Sequence, residues 1–171
     1  PLPVYEKVFS AAENGFVSET HENLCCLKFL SGNFSRKCIR TLDRGFDAND
    51  YYRYFLKRSE HFVIRAKKNR NVIYKGKTCN IVDVAAQYKG NYCMNFKDKS
   101  GRRVNCKMSC IPVRLCEFPS KGLTLVAVYR YFSVLPSNPT EDSPFLQFPH
   151  SQHPADKWYL LLTEDGLSFP L

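Results

Sequence analysis

The sequence predicts an α/β fold that gives way to a β-rich lobe, and three observations carry that expectation. The first 67 residues alternate strand-like and helix-like patterns in the order β-α-β-α-β, which implies a sheet flanked by helices. From residue 91 onward the periodic signals are β alone. With 171 residues, 44% hydrophobic and 24% charged, the chain can form one domain with a real core, or one domain with a lobe inserted into it.

Taken in order, residues 4–10 alternate as a strand, with Val4, Glu6 and Val8 on one side and Tyr5, Lys7 and Phe9 on the other. Ser18 is placed to cap a helix whose first turn holds Glu19 and Glu22. That helix carries Leu24, Leu27, Phe29 and Leu30 and is expected to stop at Gly32. Residues 37–42 read as a short strand that ends at Asp43, with Gly45 breaking the chain just beyond. Asp47 is placed to cap a second helix, with Asp50 at its third position, running through Tyr51, Tyr52, Tyr54, Phe55 and Leu56 to about Arg58. His61–Lys67 is the next strand.

Residues 72–79 then read as one strand and 81–88 as a short helix. Tyr92–Phe96 and Arg103–Val113 flank Asp98-Lys99-Ser100-Gly101, a good hairpin turn. Leu123–Phe132 is strongly apolar and strand-like. Residues 133–157, with Pro136, Pro139, Pro144, Pro149 and Pro154, are expected to form a long loop or a disordered segment. Trp158–Thr163 is a buried-type strand. No internal repeat is visible.

No apolar run reaches the roughly 18–20 residues of a membrane span, and no signal peptide is visible. The chain begins at Pro1 with no Met, and a fragment of something longer is the expectation. Lys and Arg number 25 against 16 Asp and Glu, a net charge of +9 that favours a polyanionic partner, nucleic acid ahead of a membrane surface. The eight cysteines sit mostly in apolar runs and are expected as reduced thiols packed as small hydrophobes in a reducing cytoplasm. Cys106, Cys110 and Cys116 lack a Cys-x2-Cys pair and a nearby histidine, which argues against zinc, and His21, His61, His150 and His153 form no ligand set.

Asp43 is the first candidate for chemistry. In open α/β sheets ligands gather at the carboxyl ends of strands, and a carboxylate there can hold a hard cation such as Mg²⁺. The alternative is that Asp43 only caps a turn. The second candidate is the basic stretch Arg53, Lys57, Arg58, Arg65, Lys67, Lys68, Arg70, Lys75 and Lys77, opposed only by Glu60 and interleaved with Tyr51, Tyr52, Tyr54, Phe55, Phe62 and Tyr74. Such groups contact phosphates and release counterions. The alternative is a solvated face with core aromatics behind it. A further basic cluster, Lys97, Lys99, Arg102, Arg103 and Lys107, surrounds the 98–101 turn, where charge also serves to blunt a sheet edge.

Thr41-Leu42-Asp43-Arg44-Gly45-Phe46-Asp47 resembles the second-aspartate motif of the DDE transposases of bacterial insertion sequences, the IS-four-like group. The similarity continues through Tyr54–Arg58 and Phe62–Val72, and is present upstream in Phe9–Glu13 and Phe16–Glu19 and near the end in Tyr159–Thr163. It covers most of residues 1–132 and 158–163. The resemblance implies an incomplete ribonuclease-H-like core with an inserted β-rich lobe: a core segment over 1–70, the lobe over 71–132, a Pro-rich loop over 133–157 and a returning core strand over 158–171. It also implies DNA transposition chemistry, in which three acids hold two Mg²⁺ or Mn²⁺ ions for in-line attack on a phosphodiester. Asp43 matches the second acid, as catalytic and metal-binding residue. Double-stranded DNA (transposon ends and target) is the implied partner, in a homodimer located in the cytoplasm on DNA.

The departures from the family pattern are informative. The first acid lies on an earlier strand than any present here, and the third lies on a helix after the Leu-Leu-Thr strand, for which Glu164 and Asp165 fall too early. One carboxylate cannot organise two ions, so this chain alone is expected to be catalytically inactive. The Pro-rich 133–157 stretch is foreign to the family. A non-catalytic DNA-binding remnant of a decayed transposase is the alternative reading, and a nuclease on the same fold stands beyond that.

Overall fold

The computed structural model describes residues 8, 10, 12, 14–35, 37–97, 101, 103–131 and 158–164. The elements in chain order are α1 (Glu19–Asn33), β1 (Arg40–Leu42), a 3-10 turn (Arg44–Phe46), α2 (Asn49–Arg58), β2 (Phe62–Arg65), β3 (Asn71–Tyr74), β4 (Lys77–Asn80), α3 (Ile81–Ala86), β5 (Tyr92–Lys97), β6 (Arg103–Leu115), β7 (Phe118–Tyr131) and β8 (Trp158–Glu164). All eight strands join one sheet in the order β1-β2-β8-β7-β6-β3-β4, with β5 added to β6. β1 and β2 are parallel; the other pairs are antiparallel. The fold is therefore mixed α/β, an open mixed sheet with three helices among the described residues. β8 lies between β2 and β7, so it stitches the α/β half and the β-rich half into a single sheet. None of the described helices is long and apolar enough to cross a membrane.

The pleat sorts side chains onto two faces. Phe62, Ile64, Leu160, Leu162, Leu123, Leu125, Ile111, Val113, Leu115 and Val72 fall on one face, and all three helices pack into the same core cluster with them. α2 supplies Tyr51, Tyr52 and Phe55; α3 supplies Ile81, Val84 and Ala85; α1 supplies Leu27. Phe55 stacks on Phe62 at 5.1 Å between centroids, and Tyr52 meets Phe62 edge-on at 5.9 Å. Each aromatic pair adds roughly 0.5–1.5 kcal/mol beyond its buried area. The other face carries Thr41, Val63, Thr163, Val126, Pro112 and Arg114, and its buried members Val126 and Thr163 stand outside that cluster.

Local chemistry explains most boundaries. The Ser18 hydroxyl accepts the His21 N–H at 3.1 Å, as a helix cap should, and Asn80 caps α3 through the Val82 N–H at 2.8 Å. α2 ends on Ser59 in the left-handed region, φ 51°, after Lys57 and Arg58 place positive charge on its carboxyl end. Several expectations are corrected. α1 runs past Gly32 to Asn33, because a single glycine near a helix end weakens the helix without stopping it. β1 covers only residues 40–42 of the expected 37–42. Residues 72–79 form not one strand but a hairpin, β3 and β4, turning at Lys75 and Gly76 with φ 49° and 77°. Two positive φ values in a two-residue loop make the tight hairpin that matches strand twist. Asp47 does not cap α2, whose N-cap is Ala48 with no side-chain cap bond. Of the expected 4–10 strand, residues 4–7 and 9 lie outside the described residues, as do 98–100 of the 98–101 turn and all of 133–157.

The cysteines are unpaired with one another, as expected, but only Cys106 is buried; Cys38, Cys93, Cys110 and Cys116 are exposed. Much of the cysteine usage therefore lies outside the core.

Gly90 is a glycine whose missing side chain the packing demands. Its φ is +83°, and a Cβ there would stand 2.5 Å from Lys107 Cβ and 3.1 Å from the Lys107 and Met108 backbone. Asn91 N–H is bonded to Met108 O at 3.0 Å, so the segment cannot drift from β6 to make room. Gly90→Ala is expected to cost roughly 2–4 kcal/mol, combining left-handed strain with overpacking. Urea unfolding checks this, and an unchanged midpoint would refute it.

Candidate functional site

β1 ends at Leu42, and Asp43 follows in extended backbone at the start of the 3-10 turn. Its Oδ1 accepts the Gly45 N–H at 2.8 Å, and a Cβ on Gly45 would lie 3.1 Å from that oxygen. Glycine at this position thus lets the turn close on the carboxylate. The Asp43 side chain is exposed. The parallel register sets Leu42 beside Ile64, so Asp43 and Arg65 each follow that pair by one residue, at the carboxyl ends of their strands. The turn-capping role that the sequence left open for Asp43 is present, and it leaves Oδ2 without a partner among the described residues.

No group of three His, Cys, Asp or Glu side chains suited to a metal exists among the described residues. One exposed carboxylate fits a single ligand of a hydrated Mg²⁺, which commonly takes one or two carboxylates and keeps several waters. It does not fit a two-ion centre on its own.

Asp47, four residues on, is a different kind of carboxylate. It is buried and takes the Tyr52 hydroxyl at 2.7 Å, the Lys67 backbone N–H at 2.6 Å and the Arg70 guanidinium, whose Nε lies 2.5 Å from Oδ1. Burial, then the charge of Asp47 and the hydrogen bond to it, hold the Tyr52 phenol far above its usual range, so Tyr52 remains a donor. Arg70 also donates to Asn49 Oδ1 and to the Asp47 carbonyl, and its guanidinium lies 5.1 Å from the Tyr52 ring centroid. The result ties the segment after β2 to the entrance of α2. A cleft of about 510 Å³ opens there, lined among others by Asn49, Lys67, Asn69, Arg70 and Glu117.

The basic residues divide by what they face. Arg58 reaches back to the buried Glu60, Nε to Oε1 2.6 Å, and Arg70 neutralises Asp47, so both cations serve buried carboxylates. Arg53 pairs with Asp50 on the exposed side of α2 and lies 5.7 Å from the Phe118 ring centroid. Lys57 is exposed on α2, Arg65 on β2, and Lys67 just past β2, while Lys68 is half-buried. Lys75 and Lys77 are exposed on the β3–β4 hairpin. The nine positions therefore spread over α2, the end of β2 and a hairpin rather than forming one stripe.

No family model matches the chain, and no curated protein matches it.

Sequence reasoning passed over Asp47 and Glu60 as organising groups. A signal existed for Asp47: an acid with an aromatic hydroxyl five residues on and basic residues beyond the next strand. Local capping logic absorbed it first.

Proposed function

We propose that the chain is part of the catalytic core of a DDE-type DNA transposase on a ribonuclease-H-like scaffold, with Asp43 as one metal-binding acid and duplex DNA as its partner. The observation that carries the reading is the placement of Asp43: an exposed carboxylate just past the carboxyl end of a parallel strand, with Arg65 ending the strand paired with it. A carboxylate there can ligate a divalent cation, and neighbouring cations can hold the phosphate on which it acts. A bound Mg²⁺ or Mn²⁺ would polarise the scissile phosphate. The chain's own part is to present one oxygen ligand and to hold the DNA backbone. A single acid makes it silent in strand transfer by itself.

The second reading is a DNA-binding remnant in which Asp43 does nothing but cap its turn, and the Gly45 hydrogen bond favours it. Mn²⁺ titration, followed by water-proton relaxation on the wild type and Asp43→Ala, separates the two. The expected result is at least a tenfold loss of Mn²⁺ affinity, with duplex affinity in metal-free buffer changed less than twofold. Equal Mn²⁺ binding by both proteins would leave the DNA-binding remnant.

A further inference from the structure

The β6–β7 hairpin contains an irregularity that creates a second basic feature away from Asp43. Leu115 pairs with Phe118, yet Arg114 pairs with Gly122, so residues 119–121 bulge out of β7 opposite an unbroken β6. Bulges of this kind bend a strand and re-aim its side chains. Ile73 of β3 pairs with Arg114 on the other side, which brings the Lys75-Gly76 turn up to the bulge. Between them lies an open groove of about 410 Å³, lined by Ile73, Lys75, Gly76, Pro112, Arg114 and Ser120, among others.

The chemistry of this groove is one-sided. Its lining residues include two cations and no carboxylate. Arg114 and Ser120 are exposed, as is Lys121 on the bulge, and Arg114 has no ion-pair partner among the described residues. Lys75 Nζ lies 5.0 Å from the Tyr74 ring centroid, over a ring that itself is buried. At Gly76 an added Cβ would meet open space, so nothing obstructs an approaching ligand at the turn. A forked guanidinium, an ammonium and a hydroxyl on one open groove suit a phosphodiester backbone: Arg binds phosphate oxygens in pairs, Lys adds a point charge and Ser a neutral donor.

The pleat also puts this groove on the same sheet face as Thr41, two residues before Asp43. Thr41, Val63, Thr163, Thr124, Pro112 and Arg114 follow one another across β1, β2, β8, β7 and β6 on that face, with Ile73 flanking Arg114. Four strand spacings of roughly 4.8 Å separate β1 from β6, about 19 Å. Duplex DNA carries about one charge per 1.7 Å of axis, so a duplex crossing the strands presents roughly eleven charges over that span.

We propose that the groove between the β3–β4 turn and the β7 bulge is a second backbone-binding surface for duplex DNA, using Arg114, Lys75 and Ser120. It rests on the DNA-binding reading above but not on metal binding at Asp43. The test is fluorescence anisotropy of a 20-base-pair duplex (~20, long enough to span both surfaces) across a salt series. The variant is Lys75→Asn with Arg114→Gln, in which asparagine keeps the left-handed turn conformation. The control, Lys28→Gln with Lys37→Gln, removes the same charge from exposed positions on α1 and the segment after it.

The expected result is about tenfold weaker binding at low salt for the groove variant, and a slope of log affinity against log salt shallower by about 2, one unit per lost phosphate contact. The control should change affinity less than twofold. If the wild type binds and the groove variant matches the control, the groove assignment is overturned while DNA binding stands. If the wild type fails to bind duplex at any salt, both readings fall.

Discussion

Replacing Asp47 with Asn should destabilise the fold by about 3–5 kcal/mol, the usual penalty for breaking a buried ion pair by removing one partner. Two donors and a cation from different parts of the chain converge on this carboxylate: the Tyr52 hydroxyl from α2, the Lys67 N–H from beyond β2 and, as an ion pair, the Arg70 guanidinium. Asparagine keeps the shape but offers one acceptor oxygen and places an N–H2 group against a donor. Arg70, with only 12% of its side chain exposed, is then left without a counter-charge. With a urea m-value of roughly 2 kcal/mol/M, the midpoint should fall by about 2 M. Adding Arg70→Met removes the stranded cation and should recover part of the loss, because the pair is worth far less than the penalty of leaving half of it buried. A fall of less than about 0.5 M in the single variant would mean that solvent or another group satisfies Arg70, and the tie between α2 and the segment after β2 would not be structural.

The same residue shows where the sequence was legible and where it was not. Ser18 was readable as a cap because its partner, the His21 N–H, is three residues away. β8 was readable because Trp158–Thr163 is a continuous apolar run, and a strand with β2 on one side and β7 on the other needs that composition. Asp47 offered an equally local signal, with Asp50 behind it, but its acceptors are used by donors up to 23 residues away that only the folded chain brings together. The Lys75-Gly76 turn was missed for another reason. Lysine is a poor marker of left-handed backbone, so Tyr74-Lys75-Gly76-Lys77 lacks the Asn-Gly or Asp-Gly signature of a tight hairpin.

The candidate site divides in the same way. That Asp43 would sit at a strand end followed from the short apolar run and Gly45. That Arg65 would end the strand paired with β1, and that Arg114 would share the sheet face of Thr41, depends on a parallel pairing and on the position of β8. Neither is encoded within a window of sequence short enough to read. The basic stretch appeared uniform in sequence because charge alone does not reveal which cations face buried acids, as Arg58 and Arg70 do.

Glu60 should make stability depend on pH in a way that one substitution removes. Its side chain is fully buried where α1, β1 and the end of α2 meet. It accepts from Ser31 at 2.7 Å and from Arg58 Nε at 2.6 Å, and Arg40 Nε lies 3.5 Å away with little of its side chain exposed. Burial pushes the carboxyl up, but the hydrogen bonds from Arg58 and Ser31 and the charges of Arg40 and Arg58 outweigh it, and the group lies below its ordinary value. The unfolded chain therefore binds the proton more readily than the folded one. The stabilisation from Glu60 is present above the ordinary glutamate range, roughly pH 4.3, and is lost as pH falls through the lower folded-state value. At neutral pH, Glu60→Gln should cost about 3–5 kcal/mol, because Arg40 loses its buried counter-charge. Below roughly pH 4 the wild type gradually becomes neutral at this position as well, so the gap between the two proteins should narrow with acid. Urea midpoints measured for both between neutral and acid pH decide the matter. A constant gap would show that the Glu60 charge contributes nothing and that the variant suffers from packing alone.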